Sequence, residues 1–280
     1  MRSGNSRNAR PADSAPDSMT DQLAPPAEQR PDVANSEPAG AARNSSRASS
    51  LSTSRTTLWA VPTTLMLLSL LCMATIDGPI GHWIQLHPPI KPIRVFFEAA
   101  EHFGTPAGQF LLLLAVGWSA LPAPAGNRKS QWDVRVPRIY VGALISGLAA
   151  NVFKMCFTRT RPRAFAFEEL NIWDGFGPFF PLGAGGASAQ SFPSAHTACA
   201  VGFAVLLGWA WPERQRVFYL LAALVGLQRI LCSAHFPSDV LAGAAVGWLT
   251  AQMYVRDCLV SRWWLRLEQR LDRWLRSSAS

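Results

Sequence analysis

Six apolar segments separated by short loops constrain the fold of this chain more than any other feature. They are residues 58–76, 106–121, 139–157, 196–211, 217–232 and 240–255. Several are shorter than the roughly 20 residues that cross a bilayer as a helix, but a helix can extend a turn beyond its apolar part. The sequence lacks the alternation of apolar and polar residues that is typical of β-strands. It therefore predicts an all-α, six-span transmembrane helical bundle. A soluble bundle of buried helices is the alternative, and the basic loops disfavour it.

The sequence outside these segments has a different composition. Residues 1–57 are rich in Ser, Ala, Pro and Arg and hold few large apolar side chains, which predicts a disordered cytoplasmic tail. Residues 257–280 interleave Trp and Leu with Arg, which predicts a basic interfacial helix. Residues 90–103 mix Phe and Ile with charged side chains and predict a second interfacial helix. The membrane domain is therefore expected to occupy residues 58–256.

The distribution of Lys and Arg predicts the orientation of the bundle. Basic residues concentrate before the first segment, in the loops after the second and fourth segments, and after the sixth. All four regions lie on one side of a six-span bundle, and their positive charge predicts that this side is cytoplasmic. Contacts with anionic membrane lipids then explain the formal net charge of +8, so we expect no nucleic-acid partner. No obligate protein partner is evident from the sequence.

Three short polar islands interrupt the apolar sequence. They are residues 154–162 (KMCFTRTRP), 193–196 (PSAH) and 229–239 (RILCSAHFPSD). Ionisable groups within or at the ends of membrane helices are costly, so their presence indicates a function. In a six-span bundle all three islands fall on the side opposite the basic loops. This convergence favours one shared site on the exoplasmic face.

The first island supplies two cations for such a site. Lys154 and Arg161 are seven residues apart and would share one face if the third helix continued to Pro162. An ammonium and a planar guanidinium at the mouth of a helix suit an anionic ligand. Arg159 and Arg163 are expected to extend to the lipid headgroups instead.

The second island predicts the start of a helix. Pro193 and Ser194 precede an apolar run, and the free N–H groups of a helix N-terminus favour a bound phosphate. His196 follows on the first turn, where it could give or take a proton. Simple capping by Ser194 and an interfacial role for His196 are the alternatives.

The third island contains a histidine and a carboxylate that a turn could bring together. His235 and Asp239 are four residues apart, with Pro237 between them. An Asp that holds one ring nitrogen orients the other, which favours an activated base or nucleophile over a merely structural hydrogen bond. Arg229 lies inside an otherwise apolar segment, where a cation requires an anion or a polar cavity.

In order and spacing the three islands resemble the signature of the type 2 phosphatidic acid phosphatase (PAP2) superfamily. The matching patterns are KxxxxxxRP, PSxH and RxxxxxHxxxD, and the resemblance covers residues 139–255. It implies a six-span membrane core of the PAP2 type. Two positions depart from the usual motifs: Ala195 stands where the family usually has Gly, and Gln228 stands where it usually has Ser.

The resemblance implies a role for each polar residue. His235 is expected to attack phosphorus and form a phosphohistidine, with Asp239 orienting it. His196 is expected to protonate the leaving alkoxide and then activate water. No metal and no cofactor are expected, because cations already neutralise the phosphoryl oxygens. The residues expected to bind these oxygens are Lys154, Arg161, Ser194 and Arg229.

The substrate implied is a lipid phosphate monoester or pyrophosphate, with membrane lipids as the surroundings. Residues 163–191 are rich in aromatic side chains, which suit a lipid whose tails stay in the bilayer, although an ordinary interfacial loop has a similar composition. Candidates are phosphatidic acid, phosphatidylglycerol phosphate, a polyprenyl pyrophosphate and the phosphate of lipid A. Asp77-Gly78-Pro79, together with the amphipathic residues 90–103, resembles bacterial members that act on envelope lipids. The positive-inside pattern then predicts the bacterial inner membrane with the site facing the periplasm, and in a eukaryote it would predict a site facing the lumen. Transfer of the phosphoryl group to another lipid, an anion-binding transporter and an inactive binding protein are the alternatives.

Overall fold

Helices account for most of the residues that the structure, a computed structural model, describes. These are residues 55–119, 129–169, 171–180, 182 and 185–277, all within one unit, Ser52–Ser280. The predicted tail lies outside them as far as residue 54. The helices are α1 (Arg55–Thr75), α2 (Asp77–Leu86), α3 (Lys91–Glu101), α4 (Pro106–Ser119), α5 (Lys129–Lys154), α6 (Ala195–Ala210), α7 (Gln215–Leu231), α8 (Pro237–Val255) and α9 (Leu259–Ser277).

Each predicted apolar segment coincides with a helix, namely α1, α4, α5, α6, α7 or α8. Among the described residues, two stretches are long and apolar enough to cross a membrane, Leu58–Thr75 in α1 and Val134–Lys154 in α5. Shorter apolar stretches occupy Pro106–Val116 and Ala195–Ala210. The helical class is therefore confirmed, whereas the count of six spans stays a prediction.

Helix α6 occupies the centre of the bundle and contacts α5, α7 and α8. Its buried Phe203 and Leu206 pack with Ile139 of α5 and Val225 of α7 in the apolar core. On the flanks, α1 packs against α8, α3 against α7, and α9 against α5 and α8. This arrangement brings the C-terminal ends of α5 and α7 to the N-terminal ends of α6 and α8.

The close approach of α6 and α8 depends on a glycine. A Cβ at Gly243 of α8 would lie 2.3 Å from the carbonyl oxygen of Ser194, which real Cβ atoms do not tolerate. Without that side chain the backbone N–H of Ser194 donates to the carbonyl of Asp239 at 2.9 Å. The starts of the two helices are therefore joined directly.

A two-stranded sheet corrects the expectation of a purely helical chain. Strand β1 (Phe157–Arg159) pairs antiparallel with β2 (Phe176–Phe179), with Phe157 opposite Phe179. Strands of three or four residues are too short to display an alternation of apolar and polar side chains, so no pattern predicts them. Strand β1 lies in the first polar island, and its pairing with β2 fixes the segment that connects this island to the second.

The expected continuation of the third helix to Arg161 is also wrong. Helix α5 ends at Lys154, where the N–H groups of Met155 and Cys156 donate three residues back and tighten the last turn. The chain then enters β1, so Lys154 and Arg161 do not share a helix face.

The two predicted amphipathic segments form the helices α3 and α9. In α3 the side chains of Ile93, Val95 and Phe96 are exposed. In α9 Trp264 is buried in the core and Trp263 is exposed. Their location at a membrane interface stays a prediction.

Candidate active site

The three polar islands come together at one end of the bundle. Lys154 is the last residue of α5, and Ser194 caps the start of α6. Arg229 lies in the last turn of α7, and Asp239 lies in the first turn of α8. Residues that are up to 85 positions apart in the sequence thus meet because four helices begin or end at the same place.

The second island starts a helix as predicted. Ser194 is fully buried, and its Oγ accepts from the hydroxyl of Thr197 at 3.0 Å and from the N–H of Thr197 at 3.5 Å. This cap gives the N–H of Thr197 a hydrogen-bond partner. Other N–H groups of the first turn of α6 have no partner within the helix. The position remains suitable for an anion.

The third island forms the expected histidine–carboxylate pair. His235 immediately precedes Phe236, the residue that caps α8, and its Nδ1 lies 3.6 Å from Oδ2 of Asp239. Oδ2 also accepts from the hydroxyl of Ser191 at 2.6 Å and from the N–H of Phe236 at 2.9 Å. The carboxylate is therefore fixed by donors and faces one nitrogen of the imidazole.

His235 is 2% exposed and lies in the loop between α7 and α8. Burial lowers the pKa of this histidine to about 4, although the neighbouring Asp239 acts in the opposite direction. The charges of Lys154 and Arg161 lower it further. At neutral pH the imidazole is consequently uncharged, which is the form that can act as a nucleophile.

Arg159 contradicts the prediction that it extends to lipid headgroups. Its side chain is fully buried and donates to Oδ1 of Asp239, to Oγ of Ser238 at 2.6 Å and to Oδ2 of Asp77 at 2.7 Å. The ring of Phe236 also lies 4.3 Å from its guanidinium carbon. Strand β1 directs this side chain inward, where two carboxylates compensate the cost of burying its charge.

Asp77 completes what we call the buried network, defined as Asp77, Arg159, Ser191, Ser238 and Asp239. Asp77 opens α2, is fully buried, and accepts from the N–H of Ser238 at 3.0 Å and from its hydroxyl. Sequence reasoning noted Asp77 but gave it no contact. The position of Asp77 directly after an apolar segment could have predicted a contact, because a buried carboxylate requires a cation or hydrogen-bond donors.

The remaining predicted phosphate ligands line the same end of the bundle. Lys154 is 6% exposed, and its Nζ donates to the carbonyl of Gln190 at 3.0 Å. Burial lowers the pKa of Arg161, and the positive charges of Arg163 and Arg229 act in the same direction. The cations Lys154, Arg161 and Arg229 thus influence one another, and their combined positive charge favours the binding of an anion.

A second cluster, which we call the open cluster, comprises Glu101, His196, Gln228 and Arg229. Oε2 of Glu101 lies 2.6 Å from Nη2 of Arg229 and accepts from Nε2 of Gln228 at 3.0 Å. Oε1 of Glu101 lies 3.4 Å from Nε2 of His196. Sequence reasoning placed Glu101 only in an interfacial helix, since nothing local indicates a contact with a residue 95 positions away.

The described residues contain no group of three or more His, Cys, Asp or Glu side chains that could hold a metal ion. The site residues themselves supply imidazole, carboxylate and hydroxyl groups and fixed cations. Such a set can bind a phosphoryl group, attack it and move a proton.

Comparison with known proteins places the chain in a family. The family model described as the PAP2 superfamily matches residues 137–263, which contain all the predicted site residues. A lipid A 1-phosphatase of Rhizobium johnstonii is 33% identical over 198 residues, which cover 67% of this chain and 77% of that protein. The chain belongs to the PAP2 superfamily.

The comparisons also found two further similarities. A lipid A 1-phosphatase of Rhizobium etli is 34% identical over 122 residues, which cover 42% of this chain and half the length of that relative. The crystal structure of LpxE from Aquifex aeolicus has a TM-score of 0.42 and 23% identity, covering 64% of this chain and 94% of that chain. Both Rhizobium relatives are named as phosphatases, in agreement with the predicted enzyme class, whereas its metal independence stays a prediction.

Proposed function

We propose that this chain is a membrane-bound hydrolase that removes a phosphate group from a lipid through a phosphohistidine at His235. The observation that carries the proposal is the buried His235, whose Nδ1 lies 3.6 Å from Oδ2 of Asp239 and which has the cations Lys154 and Arg161 as neighbours. A nucleophile, an orienting carboxylate and an anion site occur together. PAP2 membership supports the same reaction.

In the first step, Nε2 of His235 attacks phosphorus. Asp239 faces Nδ1, so Nε2 is the ring nitrogen left to form the bond. The bond between phosphorus and the lipid oxygen breaks, and His196 gives a proton to that oxygen. Phosphoryl transfer depends mainly on positioning and on stabilisation of charge, so fixed side chains suffice for this step.

The phosphoryl oxygens bind to the cations and to the start of α6. Lys154, Arg161 and Arg229 supply positive charge, and Ser194 supplies a hydroxyl beside the free N–H groups of the helix. These donors are held in place before substrate arrives, which is how an enzyme stabilises the charge that develops in a transition state. We therefore propose that the reaction requires no metal ion.

In the second step, water attacks the phosphorus of the phosphohistidine. The P–N bond breaks, inorganic phosphate leaves and His235 is regenerated. His196 takes the proton of the attacking water, so the proton that it gave in the first step is restored.

The proposed location is the periplasmic face of a bacterial inner membrane, with six spans and both termini in the cytoplasm. The basic loops and the convergence of the polar islands at one end of the bundle support this orientation. Beside the site, Phe179, Phe180 and Leu182 are about 70% exposed and could contact lipid tails. Lipid A phosphate is the first substrate to test, since both Rhizobium relatives carry that name.

The test is phosphate release by the purified protein from a panel of lipid phosphates, with the lipid products identified. The panel contains lipid A, phosphatidic acid, phosphatidylglycerol phosphate and undecaprenyl pyrophosphate, each in excess chelator. We expect release from at least one lipid by the wild type and none by His235→Ala. Release that requires added magnesium would contradict the metal-free mechanism, and a phosphorylated lipid product would indicate transfer instead of hydrolysis.

A further inference from the structure

The open cluster places a second carboxylate beside the second histidine of the site. Glu101 is the last residue of α3, and its two oxygens lie 3.4 Å from Nε2 of His196 and 2.6 Å from Nη2 of Arg229. The mechanism above uses His196 and Arg229 but not Glu101. The role of this carboxylate is therefore open.

The position of Glu101 differs from that of the other glutamate on the same helix. Glu98 forms an ion pair with Arg94 one turn away, and both side chains are more than half exposed. The side chain of Glu101 is 27% exposed and points to the site. One helix thus carries a surface carboxylate and a site carboxylate three residues apart.

Gln228 fixes Glu101 in this position. Its Nε2 donates to Glu101 at 3.0 Å, and its Oε1 accepts from Nε of Arg229 at 2.5 Å. The side chain of Gln228 therefore joins the carboxylate to the cation. A serine, the usual residue at this position in the PAP2 motif, is too short to reach both.

The contact with Glu101 decides which nitrogen of His196 is free. Because Glu101 faces Nε2, a proton that moves to or from the substrate must use Nδ1. A carboxylate at this distance also stabilises the positively charged imidazolium, which is the form that can donate.

We propose that Glu101 is a positioning residue that holds Nε2 of His196, so that Nδ1 gives its proton to the leaving oxygen. The inference rests on the proposed function, because it assigns an orienting partner to the acid of that reaction. In the first step, His196 loses the proton on Nδ1 and keeps the proton on Nε2 that faces Glu101. In the second step, Nδ1 takes a proton from water.

The test compares two phosphate esters that differ in their need for an acid. The leaving group of p-nitrophenyl phosphate departs without a proton, whereas the alcohol of dioctanoyl phosphatidic acid requires one. The ratio kcat/KM is measured for both, because it covers only the steps up to the phosphohistidine. Glu101→Gln keeps the size of the side chain and removes its charge, and Glu98→Gln is the matched control on the same helix.

We expect Glu101→Gln to lower kcat/KM for phosphatidic acid by about tenfold to a hundredfold and for p-nitrophenyl phosphate by no more than about threefold. Glu98→Gln should change neither. Glu101→Asp retains the charge but shortens the side chain. It should lower kcat/KM for phosphatidic acid by less than Glu101→Gln does, again with little effect on p-nitrophenyl phosphate. Thermal unfolding in detergent verifies that each variant is folded.

Equal losses with the two esters, or an increase with Glu101→Gln, would overturn the inference. An increase would mean that the carboxylate competes with the phosphoryl group for Arg229. Either result would leave the proposed hydrolase intact, because the wild type would still turn over both esters. A wild type that releases phosphate from neither ester and from no lipid of the panel would overturn the proposed function, and the role of Glu101 with it.

Discussion

The two histidines of the site have carboxylate partners in very different surroundings. In the buried network the side chains of Asp77, Arg159 and Asp239 are no more than 1% exposed. In the open cluster the side chains of Glu101 and His196 are 27% and 37% exposed. The comparison indicates that His235, the proposed nucleophile, is held in a fixed orientation, whereas His196, the proposed acid, lies in a more exposed part of the site.

The buried network is held together by several hydrogen bonds to each of its two carboxylates. Asp77 accepts three hydrogen bonds, from Arg159 and from the N–H and hydroxyl of Ser238. Asp239 accepts from Arg159, Ser191 and the N–H of Phe236. Burying these charges is costly and adds little net stability, so the gain is a fixed orientation of the carboxylate that faces His235.

Arg159→Leu should break the buried network and have the largest effect. It leaves two buried carboxylates without their cation, which we expect to lower the free energy of unfolding by about 3–5 kcal/mol and to abolish phosphatase activity. Thermal unfolding and phosphate release in detergent measure the two effects. Arg163→Leu is the control, because Arg163 is exposed and lies only four residues further along the chain. Equal, small effects of both substitutions would contradict the role of the network.

The pH dependence of the free energy of unfolding should also depend on the protonation of the buried His235. Burial lowers the pKa of His235 to about 4, whereas an unfolded histidine titrates near about 6.5. The unfolded state therefore binds more protons between these values. Stability that is present above about pH 6.5 should then be lost as the pH falls towards 4.

The variant His235→Asn isolates this contribution to stability. Its thermal midpoint should decrease less than that of the wild type between pH 7 and pH 4. Parallel curves for the two proteins would show that His235 is not held uncharged in the folded state.

Gln228→Ser should give the smallest effect and sharpen the description of the open cluster. The change removes the bonds of Gln228 to Glu101 and to Arg229 but leaves both charges in place. We expect kcat/KM for phosphatidic acid to decrease by about threefold to tenfold. Because Gln228 is buried, the thermal midpoint should fall as well, but by less than with Arg159→Leu. A loss as large as that of Arg159→Leu would mean that the open cluster is as rigid as the buried network.

The sequence predicted the helices and the central residues of the site because their signals are local. Pro193 and Ser194 predicted the start of α6, and the spacing of His235 and Asp239 predicted their proximity. Apolar runs predicted the helices to within a few residues, except that α5 begins at Lys129, ten residues before the predicted segment. Each of these features depends on neighbours within one or two turns.

The contacts that were missed are long-range. Arg159 looks like its neighbour Arg163 in the sequence, and only the turn of the chain into β1 distinguishes a buried cation from a surface one. Its partner Asp77 lies 82 positions away. Glu101 lies 127 positions from Gln228, and no periodicity on α3 indicates which of its glutamates faces the site.

Trapping of the phosphoenzyme tests the central claim most directly. The wild type is mixed with p-nitrophenyl [32P]phosphate, quenched in alkali within the first turnover, and digested for mass spectrometry. We predict one label that is stable in alkali and labile in acid, located on His235 and absent from His235→Ala. A label on another residue, or near-native turnover by His235→Ala, would contradict the account.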